Sequence, residues 1–303
     1  MSLGLLCPGQ GDQTPAMLGL LRGCDAARPA LAAFTKVTGC DPFTLSAEDM
    51  EVNVVAQPLV CAFQLAVWAA VARALPHVGA LAGYSVGELA AYGCAGALAP
   101  EDVIALARRR AELMDAAFAG GGVMVALRGL GHAAVSALCV RHGAEIAIVN
   151  GFDRFVVGGD NASVAAVETE ALARGAKTTR LSIHIPSHTS LMRPAVVPFM
   201  VALEQVEWRR PCAPVIAGTN GAPIFTPARA REVLSEQLAT TVEWSACLDG
   251  LRERGCAVLL ELGPGAGLAR MARDRFPDLP ARSVAEFQSL EGAVSWVAKA
   301  LPE

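Results

Sequence analysis

The chain has 303 residues, 53% of them hydrophobic, with a formal net charge of −4 and no block of like charges. That is enough apolar material for one large or two smaller folded domains, and it gives no electrostatic reason to expect nucleic acid or an anionic membrane as a partner. The nine cysteines include no C-x-x-C pair and no Cys/His grouping at zinc-ligand spacing, so the expectation is reduced thiols, a cytoplasmic protein, and no metal or redox cofactor.

Taken in chain order, MSLGLLCPGQGDQ lacks a basic stretch followed by a signal-length apolar core and reads as folded chain rather than a leader. LGLLC predicts a short strand that breaks into the loop PGQGDQ, and helical patterns run through residues 58–75. The uncharged stretch Val54–Ala72 is long enough to span a bilayer, but Gln57, Pro58 and Gln64 interrupt it, so a buried helix is expected. HVGALAG predicts a second buried strand, SVGELAAYGCAGAL a helix, and PEDVIALARRRAELMDAAF another that ends at Gly120 to Gly122.

The next segment predicts a strand at 123–129, a helix at 132–142, strands at 145–150 and 154–158, a helix at 162–174 and a strand at 177–185. That order, βαββαβ, is ferredoxin-like. Long helical patterns then return, with a strand at 213–217, helices from about 227 to 254 and the strand AVLLEL before GPGAG. The expected fold is α/β: an α/β-hydrolase-like large domain of residues 1–121 and 188–303, with a ferredoxin-like small domain of residues 122–187 inserted into it.

GYSVGEL sets Ser85 between two glycines, after an apolar strand and before a helix. That is the context in which a sharp turn lifts a serine hydroxyl out of a sheet toward helix N–H groups. A serine nucleophile needs a base, and there are five histidines. His77, His132 and His142 read as surface or helix-end residues. The other two share RLSIHIPSHTSLMRP, where the small domain returns the chain to the large one. Alternation along the strand puts Leu181, Ile183 and Ile185 on one face and Ser182 and His184 on the other. Pro186 should stop that strand, Ser187 can cap the next helix, and His188 would stand in that helix's first turn at a domain junction, making it the better base.

CPGQGDQ, GYSVGEL, RRRAELM, GGGVMVAL, IPSHTSLM and ELGPG occur in the order seen in malonyl-CoA:acyl carrier protein transacylases, and the chain resembles that family over nearly its whole length. The resemblance implies that Ser85 accepts the acyl group and His188 is its base. It implies that a main-chain carbonyl from the TVEW stretch, that of Glu243, orients the histidine. The main-chain N–H groups of Val86 and Gln10 would form the oxyanion hole, and Arg110, the arginine of RAELM ending at Met114, would bind the malonyl carboxylate. Gln57, Met114 and Asn150 are expected near the site. A planar guanidinium is the economical discriminator between malonyl and acetyl, because it takes a carboxylate bidentately. GPGAG is expected to be a tight strand-to-helix turn rather than a phosphate cradle.

The chain departs from the transacylases of fatty-acid synthesis at Cys7, Asp12, Tyr84 and His184. GYSVGELAAYGCAGAL and VNGFDRFVVGG look most like the malonyl transacylase (epsilon) subunits of malonate decarboxylases, which load malonyl from malonyl-CoA onto a carrier protein bearing a dephospho-CoA-type thiol. The expected partners are therefore malonyl-CoA and an acyl carrier protein, that of a malonate decarboxylase ahead of one from fatty-acid or polyketide synthesis. The rival readings are a serine thioesterase or hydrolase, which Arg110 and the inserted domain oppose, and a non-catalytic carrier-docking subunit, which would not need Ser85 and His188 together.

Overall fold

Two sheets organise the molecule, a computed structural model that describes residues 2–301. The larger sheet contains β1 (Ser2–Cys7), β2 (Val78–Gly83), β7 (Val215–Ile216), β8 (Pro223–Ile224), β9 (Cys256–Glu261) and β10 (Ala281–Ser283) in the order β10-β9-β1-β2-β7-β8. Every pairing in it is parallel except that of β8 with β7. Leu3, Leu5, Leu6 and Cys7 of β1 are fully buried, as a central strand covered on both faces requires.

The smaller sheet contains β3 (Gly122–Arg128), β4 (Glu145–Gly151), β5 (Arg154–Asp160) and β6 (Lys177–Arg180) in the order β4-β5-β3-β6, with all pairs antiparallel. Helices α6 (His132–His142) and α7 (Asn161–Ala173) cover one face of it. Val125, Leu127, Val135, Leu138, Phe155, Val157 and Val164 form the core between them. Asp160 caps α7 by accepting from the N–H groups of Ala162 and Ser163.

The other helices belong with the large sheet: α1 (Arg28–Thr38), α2 (Ala47–Glu51), α3 (Asn53–Val71), α4 (Gly87–Cys94), α5 (Pro100–Ala117), α8 (Arg193–Glu204), α9 (Pro227–Glu236), α10 (Trp244–Glu253), α11 (Gly267–Arg275) and α12 (Leu290–Ala300). Helix α3 is long and apolar enough to cross a membrane by length and composition. It is instead packed inside the protein against α1, α4 and α5, with 72% of its most apolar window buried. Pro58 lies within its first two turns, and the helix runs through it. All nine cysteines are free thiols.

Two expectations around the return from the small sheet are corrected. The strand expected at 177–185 ends at Arg180. Beyond it only single ladder bonds survive, Leu181 N–H to the Met124 carbonyl and Gly122 N–H to the His184 carbonyl. The burial alternation nevertheless persists, with Leu181 and Ile183 half-buried, Ile185 buried, and Ser182 and His184 exposed. Ser187 does not cap a helix and His188 is not in a helical turn. A 3-10 turn at Ser190–Met192 precedes α8, and His188 sits before it in a left-handed conformation with φ of 62°.

The two halves are tied by backbone. Val242, in the TVEW stretch, bridges to Ile148 of β4, with Val149 N–H donating to the Val242 carbonyl and Val242 N–H to that of Ala147. The TVEW stretch therefore serves as a strand-like seam to the smaller sheet: the Val242 carbonyl is spent there, and that of Glu243 accepts from Cys247 N–H in α10.

Candidate active site

The loops that follow β1 and β2 leave the carboxyl ends of adjacent parallel strands, where open α/β sheets form their crevices. After β2 the chain turns within Tyr84, Ser85 and Val86 and enters α4. Ser85 has φ of 55°; it and His188 are the two non-glycine residues of positive φ among the described residues. Such backbone costs about 1–3 kcal/mol and survives only where the surroundings impose it.

The flanking glycines do not need unusual dihedrals; they are required by space. A β-carbon on Gly83 would strike the backbone of Gly87 and Glu88, and one on Gly87 would strike the carbonyls of Cys7 and Pro8. The turn is thus pressed against the end of β1, where the Cys7 carbonyl accepts from Tyr84 N–H at 2.8 Å. The buried amide of Gln64 on α3 holds the neighbouring loop by donating to the Pro8 carbonyl at 2.8 Å.

Ser85 Oγ lies 2.7 Å from His188 Nε2, and His188 Nδ1 lies 2.6 Å from the Gln237 carbonyl oxygen. A carbonyl can only accept, so Nδ1 carries the hydrogen and Nε2 is left to accept the serine proton. His188 is 2% exposed. Burial first, and the Arg110 charge second, push its pKa down to about 3, so the ring is neutral and able to take a proton. The carbonyl that orients it belongs to Gln237, not to Glu243. Gln237 closes α9, and the 3-10 turn at Gln237–Ala239 leaves that carbonyl free, with Leu238 O accepting from His188 N–H. Glu243 instead donates its N–H to the Gly218 carbonyl at the start of α10.

Arg110, on α5, is 2% exposed and faces Ser85. Its Nη1 donates to Gln57 Oε1 at 2.7 Å, and its Nη2 reaches both Gln237 Oε1 and Ser85 Oγ at 3.3 Å. Among the described residues no carboxylate lies within 4.0 Å of it. Gln57 is in turn held by Asn53 Oδ1 at 2.8 Å and touches Met114 Sδ at 3.8 Å.

A narrow cavity of about 60 Å³ over Ser85 is lined by Gln10, Gln57, Tyr84, Arg110, Met124, Ile148, Leu181, Ile183, Ser187 and His188. Neither Gln10 N–H nor Val86 N–H donates a hydrogen bond within the described residues, which leaves both free for a ligand oxygen. Ser85, His188, Arg110, Gln10, Gln57 and Met114 are therefore gathered in one place. Asn150 stands one residue removed, beside the Tyr84 hydroxyl and outside this cavity. His77 is exposed, His132 stacks edge-on to Phe155, and His142 pairs with Glu170, all elsewhere.

Two residues were not singled out from sequence. Gln237 contacts Arg110 and His188, and its Nε2 also donates to the Ser85 carbonyl at 3.3 Å and to Glu88 Oε2 at 2.6 Å. Glu88 is fully buried on α4 and additionally accepts from Gly218 N–H at 3.0 Å; burial pushes its pKa up to about 7. An acid on an otherwise apolar helix face, as in GELAAYGC, was the available signal for Glu88. Gln237 carried none.

The ELGPGAG segment is a turn whose helix end is already filled. Glu261, buried at the end of β9, accepts from Leu268 N–H at 3.3 Å and Ala269 N–H at 2.8 Å. Two of the first-turn N–H groups that a phosphate would use are thus taken by a carboxylate of the chain itself. Among the described residues no group of three or more His, Cys, Asp or Glu side chains is placed to hold a metal.

The acyl transferase domain family matches residues 5–288. The chain belongs to that family. Among curated relatives of this acyl transferase, the malonyl CoA-acyl carrier protein transacylase of Mycobacterium tuberculosis strain H37Rv is 31% identical over 290 residues, covering 93% of this chain and 96% of that protein. The malonyl-CoA:acyl carrier protein transacylase structure from Xanthomonas oryzae superposes with a TM-score of 0.92 at 31% identity, covering 98% and 99% of the two chains. A malonyl-transacylase solved in complex with a type II polyketide acyl-carrier protein superposes with a TM-score of 0.92 at 27% identity, covering 97% and 99%.

Proposed function

We propose that the protein moves malonyl from malonyl-CoA to the prosthetic thiol of an acyl carrier protein through a malonyl-Ser85 intermediate. The observation that carries this reading is Arg110: a buried guanidinium without a carboxylate partner, 3.3 Å from the hydroxyl of Ser85. Burying an unpaired cation is costly, and the natural compensation is a ligand carboxylate carried on the acyl group that Ser85 accepts.

In the first half-reaction His188 Nε2 takes the Ser85 proton as Oγ attacks the thioester carbonyl. The tetrahedral oxyanion is met by the Val86 and Gln10 N–H groups, each such donor contributing about 3 kcal/mol in acyl-transfer enzymes. His188 returns the proton to the sulfur of CoA as the C–S bond breaks. The carrier thiol then attacks the serine ester by the same route in reverse. The Gln237 carbonyl does the geometric part of a triad acid: it selects the tautomer and aims the ring.

The relatives are named for transfer to acyl carrier protein, and one was solved with a polyketide carrier, which supports a carrier from fatty-acid or polyketide synthesis. A malonate decarboxylase carrier is the second reading, resting on the GYSVGELAAYGCAGAL texture alone.

The test is to mix the protein with malonyl-CoA or acetyl-CoA, quench, and locate added mass by peptide mass spectrometry, then add each carrier type. Malonyl on Ser85 that transfers to a phosphopantetheine carrier supports the first reading; transfer only to a dephospho-CoA-type carrier supports the second. Release of free malonate without a carrier would identify a hydrolase instead, and no adduct without turnover would identify a docking subunit. Arg110→Ala should reduce malonyl loading by about 100-fold, as loss of a charge-assisted bidentate contact does, without reducing acetyl loading.

A further inference from the structure

Every acceptor around the Arg110 guanidinium is neutral. Gln57 and Gln237 offer amide oxygens, and the third acceptor is Ser85 Oγ itself. The nearest buried acid, Glu88, turns its Oε2 toward Gln237 Nε2 and Gly218 N–H rather than toward the arginine. In the empty site, therefore, a full positive charge donates a hydrogen bond to the oxygen that must act as nucleophile, and that oxygen is one hydrogen bond from the base.

Both consequences oppose reaction. A lone pair of Ser85 Oγ is engaged by a cation, which lowers its nucleophilicity. A proton arriving on His188 must also be held close to that cation, at a site where little water is present to screen the repulsion. The charged group facing His188 is Arg110 from α5, with the neutral Gln237 carbonyl at its Nδ1; Glu88 from α4 is reached only through Gln237 Nε2.

We propose that Arg110 is a catch as well as an anchor: it restrains Ser85 in the empty site, and a carboxylate that takes over its Nη donors releases the hydroxyl and neutralises the charge beside the base. The malonyl carboxylate then accelerates the acylation step itself, beyond what it contributes to binding. An acetyl group, lacking that carboxylate, meets a restrained nucleophile. This rests on the malonyl-transfer reading of the site. The chemistry balances as ordinary acylation: the Ser85 O–C bond forms, the thioester C–S bond breaks, and the serine proton passes through His188 to the CoA sulfur.

The experiment supplies the missing carboxylate separately. Acetylation of Ser85 by acetyl-CoA is followed by quenched-flow mass spectrometry with increasing formate, against sodium chloride at matched ionic strength. Formate should raise the wild-type acetylation rate, by roughly tenfold at saturation, which corresponds to about 1.4 kcal/mol off the barrier. Chloride should not, and Arg110→Gln should show no response to formate. If formate leaves wild-type acetylation unchanged or slows it while malonyl-CoA still loads Ser85, the catch is refuted and the transferase reading stands. If malonyl-CoA does not load Ser85 at all, both are refuted.

Discussion

The Gln237 carbonyl receives the Nδ1–H of His188 at 2.6 Å, so the imidazole is held by a neutral dipole rather than a carboxylate. No negative charge stands behind the ring to raise its pKa, and burial together with Arg110 keeps it at about 3. The ring is therefore neutral throughout the neutral range and becomes protonated, and inactive, only as pH falls toward 3. The group near the centre that titrates around neutrality is instead Glu88, at about 7. The profile of kcat/KM against pH reports the free enzyme. Any limb in it near pH 7 is expected to vanish in Glu88→Gln. A limb near 6.5 that persists in that variant would mean that His188 titrates normally and that the relay is misassigned.

The φ of 55° at Ser85 makes a stability prediction separable from activity. Ser85→Ala and Ser85→Gly both remove the hydroxyl, but only glycine adopts left-handed backbone without a steric penalty of about 1–2 kcal/mol. Urea denaturation should find Ser85→Gly the more stable of the two by about 1 kcal/mol, after its larger unfolded-state entropy is subtracted. Equal stabilities would show that the turn is unstrained.

Glu145 of β4 accepts from Ser190 N–H at 3.1 and 3.0 Å through its two oxygens, and also from the Ser190 hydroxyl. Ser190 is two residues beyond His188, so this contact clasps the smaller sheet to the turn that presents the base. Glu145→Ala should lower kcat by about tenfold through misplacement of the ring, with KM little changed. An unaltered kcat would mean that the Leu238 and Gln237 carbonyls suffice to position His188.

Glu261 is buried with its pKa pushed up to about 8, by burial first, against the hydrogen bonds from Ala269 and Leu268. Its folded pKa exceeds its unfolded value near 4.5, so the folded state binds more protons between the two. The stabilising contribution is complete below about 4.5 and is lost as pH rises through 8. Wild-type Tm should consequently fall between pH 5 and pH 8 by several degrees more than that of Glu261→Gln, a difference of order 1–3 kcal/mol. Parallel Tm curves for the two proteins would rule this out.

The sequence by itself determined the glycine-flanked turn that presents Ser85 and the βαββαβ order of the smaller sheet, and it singled out His188 as the candidate base, because each is written in local pattern. Gly83 and Gly87 are demanded by contacts within a few residues and at the adjoining strand end, and strand and helix periods show directly in residues 122–180. His188 emerged by elimination among five histidines. What only the tertiary structure decided are the long-range partners. Gln237 reaches His188 because α9 happens to end there, 49 residues later in the chain, and nothing in EVLSEQLATTVEW marks which carbonyl will be left unpaired. In the TVEW stretch, the expected source of that carbonyl, the Val242 carbonyl is taken by Val149 N–H of β4 and the Glu243 carbonyl by Cys247 N–H of α10. The left-handed backbone at His188, the burial of its neighbours Ser187 and Thr189 and the uncompensated charge of Arg110 likewise follow from how the two sheets meet. Burial, free hydrogen-bonding capacity and charge compensation are properties of a packed neighbourhood, and a one-dimensional pattern carries them only where the neighbours are also near in sequence.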